Sequence, residues 1–197
     1  MKNTQSKKQR QIIDTARELF MSYGVRRISI EEICRTANVS KMTFYKYFKN
    51  KTDLVIFILE EIFHKAEERY HNIMAMEIPY SEKAKKIVEM KLELSADMSK
   101  EMLKDIWQSE IPEVKALLQK KMDESFKLYL DDFIGAQKND EIRKDINPQF
   151  ILYFLNQLPD MVGDERLLKL YASPQAMTGE LINFFFYGIL TQKAEEK

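Results

Sequence analysis

The chain has little of what several common protein classes require. It contains one cysteine, Cys34, so it has no internal disulfide framework. Only five of its 197 residues are glycine, and no phosphate-binding loop, nucleophile elbow or metal-binding helix motif is present. The two histidines, His64 and His71, lie about 10 Å apart along one predicted helix, too far to chelate one metal unaided. The sequence therefore predicts neither an enzyme nor a metal or cofactor, and adjacent acidic pairs are interpreted as solvated helix faces.

Long apolar runs are also missing. The longest, residues 184–190, is far short of the ~20 apolar residues that a membrane-spanning helix needs. The N-terminus is polar and does not resemble a signal peptide. We therefore expect a cytoplasmic protein without a membrane partner.

Charge is distributed unevenly, although Lys and Arg together equal Asp and Glu at 31 each. Residues 1–52 hold 12 basic against 4 acidic side chains, a net charge of +8, and residues 53–197 hold 19 against 27, a net charge of −8. A basic segment attached to an acidic remainder is typical of a DNA-binding domain with a second domain behind it. We predict a DNA-binding domain over residues 1–52 and a second domain with a separate function over residues 53–197.

Residues 29–51, SIEEICRTANVSKMTFYKYFKNK, contain two short helical patterns around a three-residue break. Ser29, followed three residues later by a glutamate, has the spacing of a capping box and predicts a helix from Ile30. Asn38 tolerates the left-handed backbone conformation that a tight turn needs. Ser40 is placed to cap the second helix. Two short helices around such a turn predict a helix-turn-helix.

The second of these helices has an apolar and a polar face. Phe44 and Phe48 are one turn apart and mark the buried side. At about 100° per residue, Met42 and Lys46 then lie on the opposite side, where the mixed side chains suit phosphate oxygens and base edges. The alternative is an ordinary amphipathic pair with a solvated basic face. The residues assigned to DNA contacts, which include a lysine at the start of the next helix, are Ser40, Lys41, Met42, Thr43, Tyr45, Lys46, Tyr47 and Lys51.

The rest of the chain predicts helices throughout, and no alternating pattern indicates a sheet. Asn50 is placed to cap a helix of roughly 25 residues that begins at Lys51 and has no breaker before Pro79. Pro112 opens a later helix, which we expect Gly135 to end. The remaining helical segments are residues 9–23, 81–94, 99–108, 148–158 and 174–191. The predicted fold is all-α, a three-helix head joined by a long helix to a helical body.

From residue 10 to about residue 54 the chain resembles the DNA-binding domain of the tetracycline-repressor-like (TetR) family of transcriptional regulators. The resemblance rests on ARELFMSYGVRRISIEEIC and ANVSKMTFYKYFKNKTDL, and its most specific part begins at Val39. Cys34, Asn38 and Met42 depart from the family pattern, where Ala, Gly and a small residue are usual. Met42 lies on the groove-facing side, so that departure concerns base preference rather than fold.

The resemblance implies a homodimeric regulator, a repressor released from a pseudo-palindromic operator by a small apolar or amphipathic effector. In the family the last two helices of each subunit form the dimer interface, whereas internal packing is the alternative for the apolar residues there. The predicted interface residues are Ile151, Phe154, Leu155, Leu158, Leu181, Phe184, Phe185 and Gly188.

The resemblance also implies that residues 53–197 form an effector-binding and dimerisation domain, with an effector pocket in the body. Aromatic and methionine side chains together form adaptable apolar pockets, although ordinary core packing explains the same residues. The predicted pocket residues are Trp107, Phe126, Tyr129, Phe133 and Tyr153. The other functional class that we consider is a helical interaction protein that binds DNA or a protein partner without ligand control.

Overall fold

The structure is a computed structural model that describes residues 6–96, 99–162, 164–172 and 174–189. Within these ranges the chain forms α-helices and no β-strand, which confirms the all-α prediction. The helices are α1 (Lys7–Tyr23), α2 (Ile30–Thr36), α3 (Lys41–Tyr47), α4 (Lys51–Met74), α5 (Tyr80–Ala96), α6 (Lys100–Trp107), α7 (Pro112–Lys138), α8 (Pro148–Val162), α9 (Glu165–Leu168) and α10 (Pro174–Ile189).

Side-chain caps explain where the N-terminal helices begin. The hydroxyls of Ser6, Ser29, Ser40 and Ser99 each accept a hydrogen bond from the backbone N–H three residues ahead, at 3.1–3.2 Å. The Asn50 side chain accepts from the backbone N–H three residues ahead at 2.8 Å. The predicted caps at Ser29, Ser40 and Asn50 are therefore confirmed.

The first compact unit comprises the chain up to Arg69 together with Glu93–Lys121. Helices α1, α2 and α3 pack around one another, and the N-terminal half of α4, with α6 and the start of α7, completes the core. The buried side chains of this core are Ile12, Ile13, Ala16, Phe20, Val25, Ile28, Ile33, Cys34, Phe44, Phe48, Leu54, Val55, Ile58, Leu59, Met102, Ile106, Val114 and Leu118.

The second compact unit comprises Tyr70–Leu92 and the chain from Met122 onward. Helices α8 and α10 pack together within it, and the rings of Phe154 and Phe185 stack with centroids 5.5 Å apart. The buried side chains of its core are Tyr80, Ala84, Phe133, Ala136, Ile142, Ile151 and Phe185.

The packing divides the chain elsewhere than at the predicted domain boundary between residues 52 and 53. Leu54 and Ile58 of α4 are buried in the same core as the helix-turn-helix, because the first turns of α4 pack against it. The boundary at residue 52 was predicted as the point where the DNA-binding function ends, and it stays a prediction.

Two elements differ from the sequence-based expectation. Helix α7 continues through Gly135 to Lys138, and the left-handed residue comes later, at Asp140 with φ of 57°. A helical glycine costs only about 1 kcal/mol relative to alanine, and burial of the next residue, Ala136, favours continuing the helix. The short helix α9 was not predicted. Within the described residues, no helix has the length and hydropathy needed to cross a membrane.

Candidate nucleic-acid interface

Helix α3 presents a buried and an exposed side, as the sequence predicts. Phe44 and Phe48 are 0% and 3% exposed and lie with ring centroids 5.8 Å apart. On the other side Met42 is 83% exposed and Tyr45 is 54% exposed, and Lys46 is also exposed. The core holds the helix by its two phenylalanines, so the opposite side chains stay available to a partner.

The turn between α2 and α3 is tight because Asn38 adopts a left-handed conformation with φ of 51°. The backbone N–H of Val39 donates to the carbonyl of Cys34 at 2.9 Å. Both features fix the direction in which α3 leaves the turn. The prediction for Asn38 is confirmed.

Several predicted contact residues already bind other side chains in the free protein. Lys41 donates to the carboxylate of Glu31 on α2. The hydroxyls of Ser40 and Thr43 lie 2.9 Å apart, and the Tyr47 hydroxyl accepts from Ser6 at 2.6 Å. These bonds order the edge of the exposed face. They were not predicted from the sequence.

Lys51 has a structural role that its sequence position did not indicate. Its ammonium group donates to the carbonyls of Val25 and Ile28, at 3.0 and 2.9 Å. Burial lowers the pKa of Lys51, because desolvation disfavours the charged form. The side chain therefore ties the connection between α1 and α2 to the start of α4. Its predicted phosphate contact stays a prediction.

The same connection is held from its other side by α6. The Arg26 backbone N–H donates to Asp105 Oδ2 at 2.7 Å, its guanidinium Nε lies 3.3 Å from Asp105 Oδ1, and another guanidinium nitrogen donates to the carbonyl of Gln108 at 2.9 Å. Gly24 has φ of 82°, and a Cβ placed there would lie 2.7 Å from Asp105 Oδ2 and 3.0 Å from Glu101 Cβ. Residues 24–28 are thus fixed between the carboxylate of α6 and the ammonium of α4.

The structure brings three of the five predicted pocket residues together in the second unit. Phe133 is buried in its core, and Phe126 and Tyr129 pack against that core. Trp107 belongs to the first unit and is 57% exposed, because α6 turns Ile106 rather than Trp107 inward. Tyr153 is 64% exposed. The structure does not group these two with the other three.

Polar groups accompany this aromatic cluster. Tyr70 donates to the carboxylate of Asp132, and the rings of Tyr70 and Tyr129 have centroids 5.0 Å apart. Burial, followed by the bond to Asp132, raises the pKa of Tyr70 and keeps its phenol protonated. The ammonium of Lys91 lies 4.6 Å from the Tyr129 ring centroid. Asp132 was expected on a solvated face, and its bond to Tyr70 corrects that interpretation.

The predicted interface residues fall into two groups. Ile151 and Phe185 are buried in the second unit, where Phe154 packs against them, so these residues serve the chain's own core. Phe184 is 75% exposed, Leu181 is half-buried and Gly188 is exposed. The side chains of Leu155 and Leu158 lie outside what the structure describes.

No group of three or more His, Cys, Asp or Glu side chains that could hold a metal ion occurs among the described residues. His64 Nε2 lies 3.5 Å from Glu68 on the same exposed helix face.

Comparison with known proteins finds its family match in the helix-turn-helix segment. Residues 12–57 match the family model of bacterial regulatory proteins, tetR family. Over this segment the chain is similar to the tetR family. The match covers α2 and α3 entirely, most of α1 and the first turns of α4. Members of this family are transcription regulators and not enzymes.

Relatives extend the likeness beyond the head. The fatty acid metabolism regulator protein of Bacillus subtilis is 29% identical over 125 residues, which cover 64% of this chain and 63% of that protein. The match thus spans less than two thirds of this relative's length. A transcriptional regulator structure from Saccharomonospora viridis, in complex with choline, superimposes with a TM-score of 0.79 at 20% identity and covers 95% of this chain and 100% of its own. The fatty acid degradation regulator FadR from Bacillus halodurans superimposes with a TM-score of 0.72 at 19% identity, with 93% and 96% covered. At such identities these structures show the fold.

Proposed function

We propose that the protein is a homodimeric, ligand-responsive transcriptional regulator of the cytoplasm. It represses its genes by binding a pseudo-palindromic operator, and a small apolar or amphipathic effector releases it. The observation that carries the proposal is the exposed face of α3, Met42, Tyr45 and Lys46, held outward by buried Phe44 and Phe48 in the segment that matches the family.

Helix α3 is the element that would enter the major groove. It has seven residues, about 10 Å of helix, and a B-DNA major groove about 12 Å wide admits an α-helix lying in it. Met42, Thr43 and Lys46 would face base edges. Tyr45 and Lys51 would contact the backbone, which positions the helix without reading sequence.

Two such heads are needed for strong discrimination, because one short helix contacts few base pairs. A symmetric dimer adds a second half-site through effective concentration. The exposed Phe184 and Gly188 of α10, with half-buried Leu181, support a dimer interface on that helix. In the single chain Phe184 is 75% exposed, and a second protomer that covers it would remove this apolar surface from water.

The cluster of Phe126, Tyr129 and Phe133 is the proposed effector site. One relative is named a fatty acid metabolism regulator and another a fatty acid degradation regulator, and the S. viridis structure is in complex with choline, which supports a small organic effector. An effector that binds one conformation better shifts the population toward it. Helix α4 is continuous from the head into the second unit and would carry that shift.

Selection of genomic fragments by the purified full chain tests the proposal. The expected result is a small set of fragments that share an inverted repeat and bind far more tightly than random duplex. Enrichment without a shared repeat, at the affinity of random duplex, would favour an interaction protein that binds DNA non-specifically.

A further inference from the structure

An ion pair lies at the edge of the proposed DNA-binding face. Lys41, the first residue of α3, donates from Nζ to the Oε1 carboxylate oxygen of Glu31 on α2. Both side chains remain more than half exposed, at 55% for Lys41 and 62% for Glu31. The pair therefore lies where DNA would approach. It engages the ammonium of Lys41, which is one of the cations proposed to contact DNA.

The pair suits the local electrostatics of the free protein. The bond to Lys41 lowers the pKa of Glu31, and the bond to Glu31 raises the pKa of Lys41. Lys41 is in the first turn of α3, where the positive end of the helix dipole disfavours a cation and favours an anion. The Glu31 carboxylate offsets the charge of the Lys41 ammonium and the positive end of the α3 dipole. The ion pair is therefore favoured in the free protein, until another anion replaces the carboxylate.

The pair also affects how the protein responds to DNA in general. A cation that neutralises a phosphate releases counterions, and each such contact adds about 0.9 to the salt dependence of binding. A lysine that stays paired with a carboxylate releases none. A DNA phosphate that binds Lys41 must displace the Glu31 carboxylate. The displaced carboxylate stays close to the phosphate, and the two negative charges repel each other.

We propose that Glu31 is a specificity-determining residue that withholds Lys41 from random DNA. Random duplex binds by generic phosphate contacts and does not displace the carboxylate. On the operator, α3 is seated by its base contacts, and an acceptor held in fixed geometry beside Lys41 replaces Glu31. Glu31 thus lowers affinity for random duplex more than affinity for the operator. This inference rests on the proposed DNA-binding function and concerns the regulation of that same site.

The test is a salt series of titrations of the full chain with a short random-sequence duplex. Glu31→Gln frees Lys41, so the plot of log affinity against log salt should steepen by about one. Affinity at low salt should rise roughly 3- to 10-fold. Affinity for the operator obtained by selection should rise less, so the ratio of operator to random binding should fall.

Two further variants separate pairing from net charge. Glu18→Gln makes the same charge change at an exposed position of α1, and its salt slope should equal that of the parent. Glu31→Asp keeps the charge but is one methylene shorter, so it should steepen the slope by a fraction of the Glu31→Gln effect. Equal slopes for Glu31→Gln and Glu18→Gln would overturn the inference and leave the proposed function intact.

A measurement without DNA distinguishes failure of this inference from failure of the proposed DNA-binding function. NMR titration of the Glu31 carboxyl carbon in the free protein should show a midpoint below the ordinary glutamate value, and Lys41→Gln should return it upward. An unchanged midpoint in Lys41→Gln would show that the pair is absent and overturn the inference by itself. If the parent binds neither random duplex nor any genomic fragment, the proposed function fails and this inference with it.

Discussion

At the residue scale, Lys51 joins two parts of the DNA-binding head with one ammonium group. Val25 and Ile28 offer their carbonyls to it from the connection between α1 and α2. Without the ammonium, two partly enclosed carbonyls lose their donor, and unsatisfied polar groups cost more than an average hydrogen bond contributes. The side chain consequently stabilises the head whether or not it also touches a phosphate.

Lys51→Ala should lower the free energy of unfolding by about 1–2 kcal/mol, since a partly exposed charged hydrogen bond falls in the lower part of the range for such bonds. Lys49→Ala, an exposed lysine two residues earlier, is the matched control and should change stability little. Chemical denaturation of both variants provides the measurement. Equal stability in the two variants would show that the carbonyl bonds contribute nothing.

The same variants test the phosphate contact of Lys51. If the ammonium or the nearby end of α4 holds a phosphate, Lys51→Ala should weaken operator and random DNA similarly and reduce the salt slope by about one. An unchanged slope would mean that the ammonium serves only the fold.

At the element scale, the caps and the long-range bonds explain what the sequence could and could not predict. Ser29, Ser40 and Asn50 act on N–H groups three residues away, so a short window of sequence contains all the information. Arg26 and Asp105 are 79 residues apart, and Tyr70 and Asp132 are 62 apart. Nothing local marks either partner, so such pairs follow only once the helices are packed.

Helix α3 illustrates both cases within seven residues. Its buried and exposed faces follow from periodicity, and the structure places them as predicted. The pairing of Lys41 depends on where α2 places Glu31. The sequence showed only two adjacent glutamates there and did not indicate that one of them binds Lys41. The fold class and the exposed face of α3 were thus predictable, while the hydrogen-bond partners along the edge of that face were not.

The connection between α1 and α2 gives a prediction about the room for a side chain at Gly24. Gly24→Ala combines a positive φ with a Cβ that would lie 2.7 Å from Asp105 Oδ2, so it should destabilise the protein by roughly 1–3 kcal/mol. Gly135→Ala is the control, because that glycine is helical and its Cβ would meet no atom within 4 Å. It should stabilise by about 0.5–1 kcal/mol. Thermal unfolding that ranks the two variants the other way would contradict the described contact.

The exposed face of α3 gives a prediction about base preference. Thr43→Ala with Lys46→Ala should change the selected operator, at roughly 1–3 kcal/mol for each specific interaction with a base edge that the variant can no longer make. Repeating the fragment selection with this double variant measures the change. The same operator, selected with the same discrimination, would place base reading on another face.

At the scale of the whole molecule, the proposed dimer gives helix α10 two faces with different tasks. Leu181, Phe184 and Gly188 share one face by helical spacing, and Phe184 is exposed there. Gly179 lies nine residues before Gly188, which is half a turn around the helix at about 100° per residue. A Cβ at either glycine would meet no atom within 4 Å in the single chain.

Gly188→Arg should therefore yield a folded monomer, because a bulky charge at the proposed interface would be costly to bury. The monomer should keep weak, salt-sensitive DNA binding and lose most operator preference. Gly179→Arg, on the opposite face, should remain dimeric. Light scattering paired with operator titration measures both. A dimeric Gly188→Arg protein, or a monomer with undiminished operator affinity, would refute the interface or its role.

The close approach of Gly24 to Asp105 has a consequence for chimeric regulators. A head excised after residue 52 would leave the Arg26 amide and guanidinium without the carboxylate they bind. Grafted onto a relative's body, it would meet a foreign α6 in a space that admits no Cβ at position 24. The part of the protein that can be transferred as a folded unit is therefore made of two segments that are separate in the sequence. It takes the chain through Arg69 together with Glu93–Lys121, and a graft of both segments should fold where a graft of residues 1–52 alone loses its anchor.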